Sequence, residues 1–202
     1  MRSPRSKRAA DSVSQLKAAA LDVFNEVGVN AASIHDICGR AGVSIGSAYH
    51  HFGSKQGLAD ALLLEGLQHH LESLRRRLHK AHTAREGVTA VVESLIKWIE
   101  RHPKWARFIY TAADHGVRDE IRDALKDVNR DYEMLIDNFF RPFVEDGLLR
   151  SFPPGCFISL LIGPVHHYAR KSLGKRAHKP LGSYADEFSQ AAWCTVRAED
   201  SG

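Results

Sequence analysis

The sequence predicts an all-α protein of about nine helices. Apolar residues recur at three- and four-residue spacing along almost the whole chain, which places them on one face of successive helices. Glycine, proline and serine interrupt this pattern at intervals suited to helix ends. Neither an Asn-Gly hairpin nor a sustained alternation of apolar and polar residues indicates a strand. With 202 residues, of which 44% are hydrophobic and 26% charged, the chain has the composition of an ordinary globular protein.

The first 80 residues divide into four predicted helices, each starting at a polar residue that can cap it. The apolar face of the first helix consists of Val13, Leu16, Ala20, Val23, Phe24 and Val27. The predicted bounds run from Asp11, Ser12 or Ser14 to Gly28, from Ser33 to Arg40, from Ser44 to about His51, and from Ser54 to about Lys80.

Longer helices are predicted in the second half of the chain. Their bounds are about 85–101, a short helix after His102, a long helix ending near Gly147, 156–173 and 181–197. Proline is favoured in a first helical turn, so Pro103 is expected to start a helix, whereas Pro142 is expected to kink one. Residues 174–179 are interpreted as a basic linker.

Positive charge is concentrated at the N-terminus. The formal net charge is +4, and residues 1–55 hold 7 Lys and Arg against 4 Asp and Glu. Residues 1–8 form a predicted flexible arm that contains Arg2, Arg5, Lys7 and Arg8. Such an arm attracts phosphate groups, although a basic tail that only aids solubility has the same composition.

The sequence predicts a cytoplasmic protein without a membrane span. No apolar run approaches the roughly 20 residues of a membrane helix, and the basic residues 1–8 lead into no apolar stretch of a secretion signal. Cys38, Cys156 and Cys194 lie far apart, without the spacing of metal ligands. They are interpreted as buried, reduced thiols.

Neither a metal nor a cofactor is expected. Three pairs of adjacent histidines occur, His50-His51, His69-His70 and His166-His167, but adjacent side chains on a helix point about 100° apart and chelate one ion poorly. An enzyme is not expected either, because the sequence has no G-x-S-x-G motif, phosphate-binding loop or paired carboxylate and histidine. A helical, histidine-dependent hydrolase is the alternative in that class.

Residues 33–52 have the form of a helix-turn-helix. Two short helices are joined by a turn at Gly42, where glycine allows a positive φ. The two helices are expected to pack through apolar residues at helical spacing, namely Ile34, Ile37, Ala41, Val43 and Ala48. This arrangement is typical of DNA-binding domains, in which the second helix enters the major groove.

The second of these helices has an outer face suited to a polyanion. If Ala48 faces the core, a rotation of about 100° per residue places Gly46, Ser47 and His50 on the opposite side. Ile45, Tyr49 and His51 flank them, and the helix contains no Asp or Glu. Small residues, hydroxyls and imidazoles allow close approach to DNA. A solvated face on an ordinary helical bundle is the alternative interpretation.

The segment 33–58 resembles the signature of the TetR family of transcriptional regulators. That signature consists of a Thr-led second helix, A-G-V-S, G-x-x-Y-x-H-F and x-x-K-x-x-L, and the segment here reads SIHDICGRAGVSIGSAYHHFGSKQGL. Four positions depart from the family pattern. Ser33 replaces Thr, Cys38 replaces Ala, Ile45 stands where polar or basic residues are common, and Ala48 replaces a larger aliphatic residue.

The resemblance implies a DNA-binding domain over 9–55 and a ligand-binding and dimerisation domain over 56–202. Tyr49 and Lys55 match positions that hold phosphates, and Ile45 is expected to touch a thymine methyl group. The implied DNA-binding residues are Ser33, His35, Ser44, Ile45, Gly46, Ser47, Tyr49, His50, His51 and Lys55. A homodimer is then expected to bind a palindromic double-stranded DNA operator as a repressor and to leave it when a small-molecule effector binds. An activator of the same fold is the alternative.

The dimer is expected to form through the last two helices. Each carries an apolar stripe, and two such helices from each subunit make a four-helix interface. The candidate interface residues are Phe157, Leu160, Leu161, Val165, Tyr184, Phe188 and Ala192. The same stripes would also serve to complete the core of the chain itself.

A hydrophobic or aromatic effector is expected in a pocket between the middle helices. An apolar cavity with a few polar groups is the usual site for a small molecule. The candidate lining residues are Trp98, Trp105, Phe108, Tyr110, Phe139, Phe143, His166, His167 and Tyr168. Aromatic residues at helical spacing are also typical of a plain core.

Overall fold

The structure is a computed structural model that describes residues 4–114, 119–153, 155–174 and 179–198. These residues form the predicted all-α fold, and among them the β structure is limited to one isolated bridge between Leu149 and Arg197. The helices are α1 (Pro4–Ala31), α2 (Ile34–Ala41), α3 (Ile45–Phe52), α4 (Lys55–Leu78), α5 (Ala84–Arg101), α6 (Pro103–Asp114), α7 (Asp119–Glu145), α8 (Cys156–Leu173) and α9 (Ala185–Val196).

The observed bounds differ from the predicted ones chiefly in α1 and α9. The backbone of 4–8, which was assigned to the basic arm, is helical, and residues 1–3 lie outside the described part. The range of α1 joins two helical segments across Gly28, whose φ of 80° and ψ of 160° are not helical, so the long segment breaks at the predicted glycine and a short one follows to Ala31. The last helix is preceded by a 3₁₀ turn over Leu181–Tyr184. Pro142 lies inside α7, and most of the predicted linker at 174–179 lies outside the described residues.

Two compact units make up the chain. The first comprises residues 1–66 and 104–121, and the second comprises 67–103 and 122–202. The first unit therefore extends beyond the predicted boundary at residue 55, because it includes the start of α4 and nearly all of α6. Helix α4 is continuous through the division at residue 66.

The core of the first unit includes an aromatic side chain from α6. Leu16 and Phe24 of α1, Ile37 of α2 and Leu58 of α4 are buried together with Phe108, which is 3% exposed. The rings of Phe24 and Phe108 stack with centroids 5.8 Å apart. Burial of large apolar side chains of this kind is the main favourable contribution to folding.

Three residues predicted to line the effector pocket belong to this first unit instead. Phe108 is part of its core, and Trp105 packs against the same core. A Cβ atom at Gly66 would lie 2.4 Å from the Trp105 ring, so the glycine makes room for the indole. Tyr110 lies in the same unit. Phe108 is therefore corrected from a pocket residue to core packing, because spacing along a helix shows which residues share a face but not which core that face covers.

Helix α5 is the central helix of the second unit. Ten of its residues are buried, among them Val88, Val91, Leu95 and Ile96, and it packs against α8 and α9. A Cβ atom at Gly87 would lie 2.1 Å from Cε1 of Phe139, so α5 also accommodates an aromatic ring of α7. Phe139 and Phe143, with centroids 5.7 Å apart, are thus packed side chains of this unit.

Several predicted dimer residues complete the chain's own core. Leu161, Val165 and Ala192 are 1%, 0% and 4% exposed, so they have almost no surface left to bury against a second subunit. Phe157 packs edge-on against Phe140 at 5.0 Å. The assignments of Leu161, Val165 and Ala192 to the interface are corrected to core packing, whereas Phe157 is half-buried. Leu160, Tyr184 and Phe188 are only half-buried.

The three cysteines are free thiols, as predicted, but only one is buried. Burial raises the pKa of the Cys38 thiol, which keeps it protonated and unreactive at neutral pH. Cys156 is half-buried, and Cys194 is exposed on α9. The prediction that all three are buried was therefore wrong for Cys194, whose place on the outer side of its helix the apolar neighbours in sequence do not reveal.

Candidate functional site

The turn between α2 and α3 has a fixed geometry. Gly42 adopts a left-handed conformation with φ 64°. The Val43 N–H donates to the Cys38 carbonyl at 3.1 Å and the Gly42 N–H to the Gly39 carbonyl at 3.4 Å, which is the Schellman arrangement of a helix end. Ser44 then caps α3 by accepting from the Ser47 N–H at 3.2 Å. These bonds fix the direction in which α3 leaves the turn.

Only one face of helix α3 packs against the core. Ala48 is 2% exposed, and Ile45 and Phe52 pack partly against the same core. Ile45 is thus divided between the core and the surface, so only part of its side chain is available for the predicted contact with a thymine methyl group. Ser33 caps α2 by accepting from the His35 N–H at 3.1 Å.

The opposite face of α3 is open to solvent. Tyr49 is 48% exposed, Gly46, His50 and His51 are exposed, and Ser47 is half-buried. The rings of His50 and His51 lie edge to face, 5.2 Å apart. No carboxylate lies on this helix, so its surface carries no negative side chain to repel phosphate. His35 and Ser44 are exposed as well.

Lys55, which the resemblance assigns to a phosphate contact, already makes hydrogen bonds within the chain. Its ammonium group donates to the carbonyls of Asn30 at 2.9 Å and Ala32 at 2.7 Å, at the end of α1. A cation is favourable at a helix C-terminus, where carbonyls lack partners. Two of the three ammonium N–H groups are thereby used. Lys55 consequently joins the start of α4 to the end of α1, and one N–H is left for a further acceptor.

Gly57 is a positioning residue that the sequence analysis missed. A Cβ atom there would lie 2.1 Å from the backbone oxygen of Phe52, which cannot move without displacing the end of α3. Ser54 caps the first turn of α4 by accepting from the Gly57 N–H at 2.9 Å. The close contact between the end of α3 and the start of α4 therefore requires glycine. The only sequence signal was a glycine inside a helix, where it lowers intrinsic helix propensity.

An ion pair joins α1 to α2. Nη1 and Nη2 of Arg40 donate to the two carboxylate oxygens of Glu26, at 2.7 and 2.6 Å. The hydrogen bond from Arg40 lowers the pKa of the Glu26 carboxyl. Sequence analysis did not identify this pair, because its members are 14 residues apart and belong to different helices.

Polar aromatic side chains meet inside the second unit. His70 of α4 lies between Trp98 of α5, with ring centroids 5.5 Å apart, and Tyr132 of α7, at 5.8 Å. Trp98 Nε1 donates to Nδ1 of His69 at 2.9 Å. Trp98 and His166 were predicted to line a pocket, whereas His70 and Tyr132 were not. The sequence shows His70 only as half of a histidine pair and Tyr132 only as one apolar position of α7.

Burial keeps His70, His166 and Tyr132 uncharged. Desolvation, with His166 and His69 nearby, lowers the pKa of His70 to about 4. Desolvation, with Arg170 nearby, lowers the pKa of His166 to about 4. Burial also raises the pKa of the Tyr132 hydroxyl. Both His70 Nε2 and the Tyr132 hydroxyl are buried without a hydrogen-bond partner.

The remaining predicted pocket residues do not join this cluster. His167 is exposed. Tyr168 packs against Tyr184 at 5.3 Å and Phe188 at 6.0 Å, and its hydroxyl donates to the Lys179 carbonyl at 2.9 Å. It therefore belongs to the contact between α8 and α9, and its assignment to the pocket is corrected. The physical reason is that Tyr168 lies two residues after His166 and so points to another side of α8.

Two clefts of the second unit lie elsewhere. One, of 1110 Å³, lies along the end of α4 and the start of α5 and has a largely charged lining that includes Arg75, Lys80 and Arg101. The other, of 430 Å³, lies between α7 and the start of α8. Neither is lined by any of the nine predicted pocket residues. Within the described ranges, no group of His, Cys, Asp or Glu has the arrangement of a metal site, and no described helix combines the length and apolarity of a membrane span.

Replacing Gly57 with alanine is expected to destabilise the protein and to weaken DNA binding, because the new Cβ would collide with the Phe52 carbonyl. We expect a loss of about 1–3 kcal/mol of unfolding free energy, the usual range for overpacking, measured by urea denaturation. Gly39→Ala is the matched control, since a Cβ there meets nothing within 4 Å. Equal effects of the two substitutions would contradict the role of Gly57.

Stability is expected to fall between pH 6.5 and about 4. Over this range the unfolded chain protonates His70 and His166, whereas the folded protein keeps both neutral, so each lowers the unfolding free energy by about 1.4 kcal/mol per pH unit. His70→Phe is expected to remove about half of this slope in urea denaturation at pH 7, 6 and 5. The exposed His79, changed to Phe, is the control, and an unchanged slope in His70→Phe would disprove the assignment.

Comparison with known proteins places the helix-turn-helix in a known family. The family described as "Bacterial regulatory proteins, tetR family" matches residues 16–62, a segment that contains α2, α3 and the contacts of Lys55 and Gly57. Among curated relatives, the transcriptional repressor KstR2 of Rhodococcus jostii is 27% identical over 132 residues, 65% of each chain. The transcriptional activator FasR of Mycolicibacterium smegmatis is 34% identical over 109 residues, 54% of this chain and 48% of that protein.

The chain spans less than two thirds of the length of these curated relatives. A likeness over most of the chain is found in solved structures. The crystal structure of the regulator FadR from Bacillus subtilis in complex with stearoyl-CoA has a TM-score of 0.77 and 16% identity, covering 89% of this chain and 96% of that one. At that identity the likeness shows a shared fold. The match over 16–62 shows that the segment containing α2 and α3 is similar to the tetR family of bacterial regulatory proteins.

Proposed function

We propose that this protein is a transcriptional repressor that binds a palindromic DNA operator as a homodimer and leaves it when a small-molecule effector binds. The observation that carries the proposal is the open face of α3, which bears hydroxyl and imidazole side chains and no carboxylate. A helix of this kind, fixed on its core by a glycine turn, suits insertion into the major groove. Two copies on a two-fold axis would read two half-sites about one DNA turn apart.

Helix α4 is the proposed route by which the effector acts on DNA binding. Its first turn holds the end of α1 through Lys55 and meets the end of α3 at Gly57. The same helix carries His70, 15 residues further along the chain. A ligand that moves α4 would therefore change the position of α3. The effector would act by binding one arrangement of α4 better than another.

Repression is proposed over activation on the simplest physical ground, since a dimer on an operator blocks access to the DNA without needing a further partner. The two curated relatives described above carry opposite names, a repressor and an activator. Deletion of the gene separates the two cases: expression of the neighbouring target rises if the protein represses and falls if it activates.

The proposed dimer contact lies on the α8 and α9 surface that remains accessible. Leu160, Tyr184 and Phe188 are half-buried in the single chain, and large apolar or aromatic side chains of this kind dominate the energetics of interfaces. Tyr168, which packs against Tyr184 and Phe188, extends this surface.

DNA binding is tested with fragments of genomic DNA retained by the full-length protein, which give the operator for gel-shift titrations. We expect Tyr49→Ala and His50→Ala each to weaken operator binding by about tenfold, the effect of losing one good contact. If the remaining N–H of Lys55 contacts a phosphate, Lys55→Ala is expected to reduce the slope of log affinity against log salt concentration by about one. Lys126→Ala, a lysine paired with Asp123 on α7, is the control. Unchanged affinity in all three variants would refute the proposed interface.

Dimer formation is tested by sedimentation velocity. Phe188→Glu and Leu160→Glu place a charge in the proposed contact, where burying it unpaired is costly, and are expected to shift the protein to a monomer at micromolar concentration. Met134→Glu is the control, because Met134 is a large apolar residue exposed on α7. A wild-type protein that sediments as a monomer, or glutamate variants that stay dimeric, would exclude this interface.

A further inference from the structure

Two buried polar atoms on neighbouring rings of the second unit have no hydrogen-bond partner. They are Nε2 of His70 on α4 and the hydroxyl of Tyr132 on α7, on rings whose centroids are 5.8 Å apart. Buried polar groups in folded proteins nearly always have a partner, because an unsatisfied one loses its hydrogen bonds to water. Two such groups in one place indicate that a partner from outside the chain belongs between them.

The surroundings of these atoms are aromatic. Trp98 lies beside His70 at 5.5 Å, and its N–H is already used by His69, so the indole offers a ring face and no donor. The His69 ring in turn lies edge to face with His102, at 4.8 Å. A partner that reaches His70 and Tyr132 would therefore meet an apolar ring on one side and two hydrogen-bonding groups on the other.

The charges around the cluster decide what kind of group fits. Burial keeps His70 and His166 neutral by lowering the pKa of each to about 4, and it keeps the Tyr132 phenol protonated by raising its pKa. The charged or titratable groups that influence His70 and His166 are His69, His166 and Arg170. A carboxylate or an ammonium group placed between His70 and Tyr132 would lose its hydration and gain no opposite charge from either residue.

We propose that His70 and Tyr132 bind an uncharged oxygen-bearing group of the effector, a hydroxyl or a carbonyl, whose attached apolar part lies against Trp98. This inference rests on the proposed effector-responsive function and names the chemical class of the effector. A hydroxyl accepts from the Tyr132 O–H and donates to His70 Nε2, whereas a carbonyl accepts from both when Nε2 carries the proton. Either group satisfies both orphaned atoms without a net charge.

The first test measures the ligand-free protein by thermal denaturation. Tyr132→Phe keeps the ring and removes the hydroxyl, so it relieves the unsatisfied group and is expected to raise the melting temperature by about 2–6 °C. His79→Phe, at an exposed position that follows α4, is the control, and no change is expected there. An unchanged or lowered melting temperature in Tyr132→Phe would mean that the hydroxyl already has a partner, such as an ordered water, and would overturn the proposal.

The second test uses four probes that share one ring and differ in charge. Benzyl alcohol, benzamide, benzoate and benzylammonium are titrated into the full-length protein at pH 7.4, and the imidazole signal of His70 is followed by ¹⁵N NMR. We expect the two neutral probes to shift this signal and the two charged probes to leave it in place. Tyr132→Phe is expected to weaken the binding of the neutral probes at least fivefold, whereas His79→Phe leaves it unchanged.

Either of two results would overturn the proposal. One is a charged probe that shifts the His70 signal at the same concentration as a neutral one, and the other is the absence of any shift with all four. Operator binding is measured separately, without probe, for wild type and Tyr132→Phe. Failure of the wild type to bind DNA would contradict the proposed regulatory function, while the probe titrations continue to report on the His70 and Tyr132 site alone.

Discussion

The orientation of α3 depends on the left-handed conformation of Gly42 together with the burial of Ala48. The glycine turns the chain sharply at the end of α2, and the Schellman bonds to Cys38 and Gly39 hold that turn. Ala48 then brings the α3 backbone against the core. Because only one face of an eight-residue helix is used for packing, the other face stays in solvent. The exposure of Tyr49, His50 and His51 follows from these two constraints.

The start of α4 holds this arrangement from the other side. Lys55 binds carbonyls at the end of α1, and the missing side chain of Gly57 allows α4 to begin against the Phe52 carbonyl. The motif lysine thus has a structural part in addition to any contact with phosphate. Lys55 and Gly57 thus help to position α3 and are also among the first residues of α4, the helix proposed to respond to the effector.

The second unit has a closely packed centre and, beside it, a region in which buried polar atoms lack hydrogen-bond partners. Helix α5 is buried along most of its length, and aromatic rings of α7 fit against it at Gly87. Beside this packing, Nε2 of His70 and the hydroxyl of Tyr132 are buried without hydrogen-bond partners. Unsatisfied polar groups lower the stability of the free protein, so their presence in an otherwise well-packed unit is consistent with a site that a ligand completes. Sites of this kind trade stability for function.

The sequence by itself determined the all-α class, most helix bounds and the helix-turn-helix. These depend on local signals, namely the spacing of apolar residues, capping by Ser33 and Ser44, and the glycine at residue 42, and local signals can be read along the chain. The tertiary structure alone decided which core each aromatic residue joins. Phe108 and Trp105 pack in the first unit, Tyr168 lies between α8 and α9, and His70 meets Tyr132 from 62 residues away in sequence. Helical spacing shows which residues share a face, but the neighbour of that face is set by long-range packing, which no local pattern encodes.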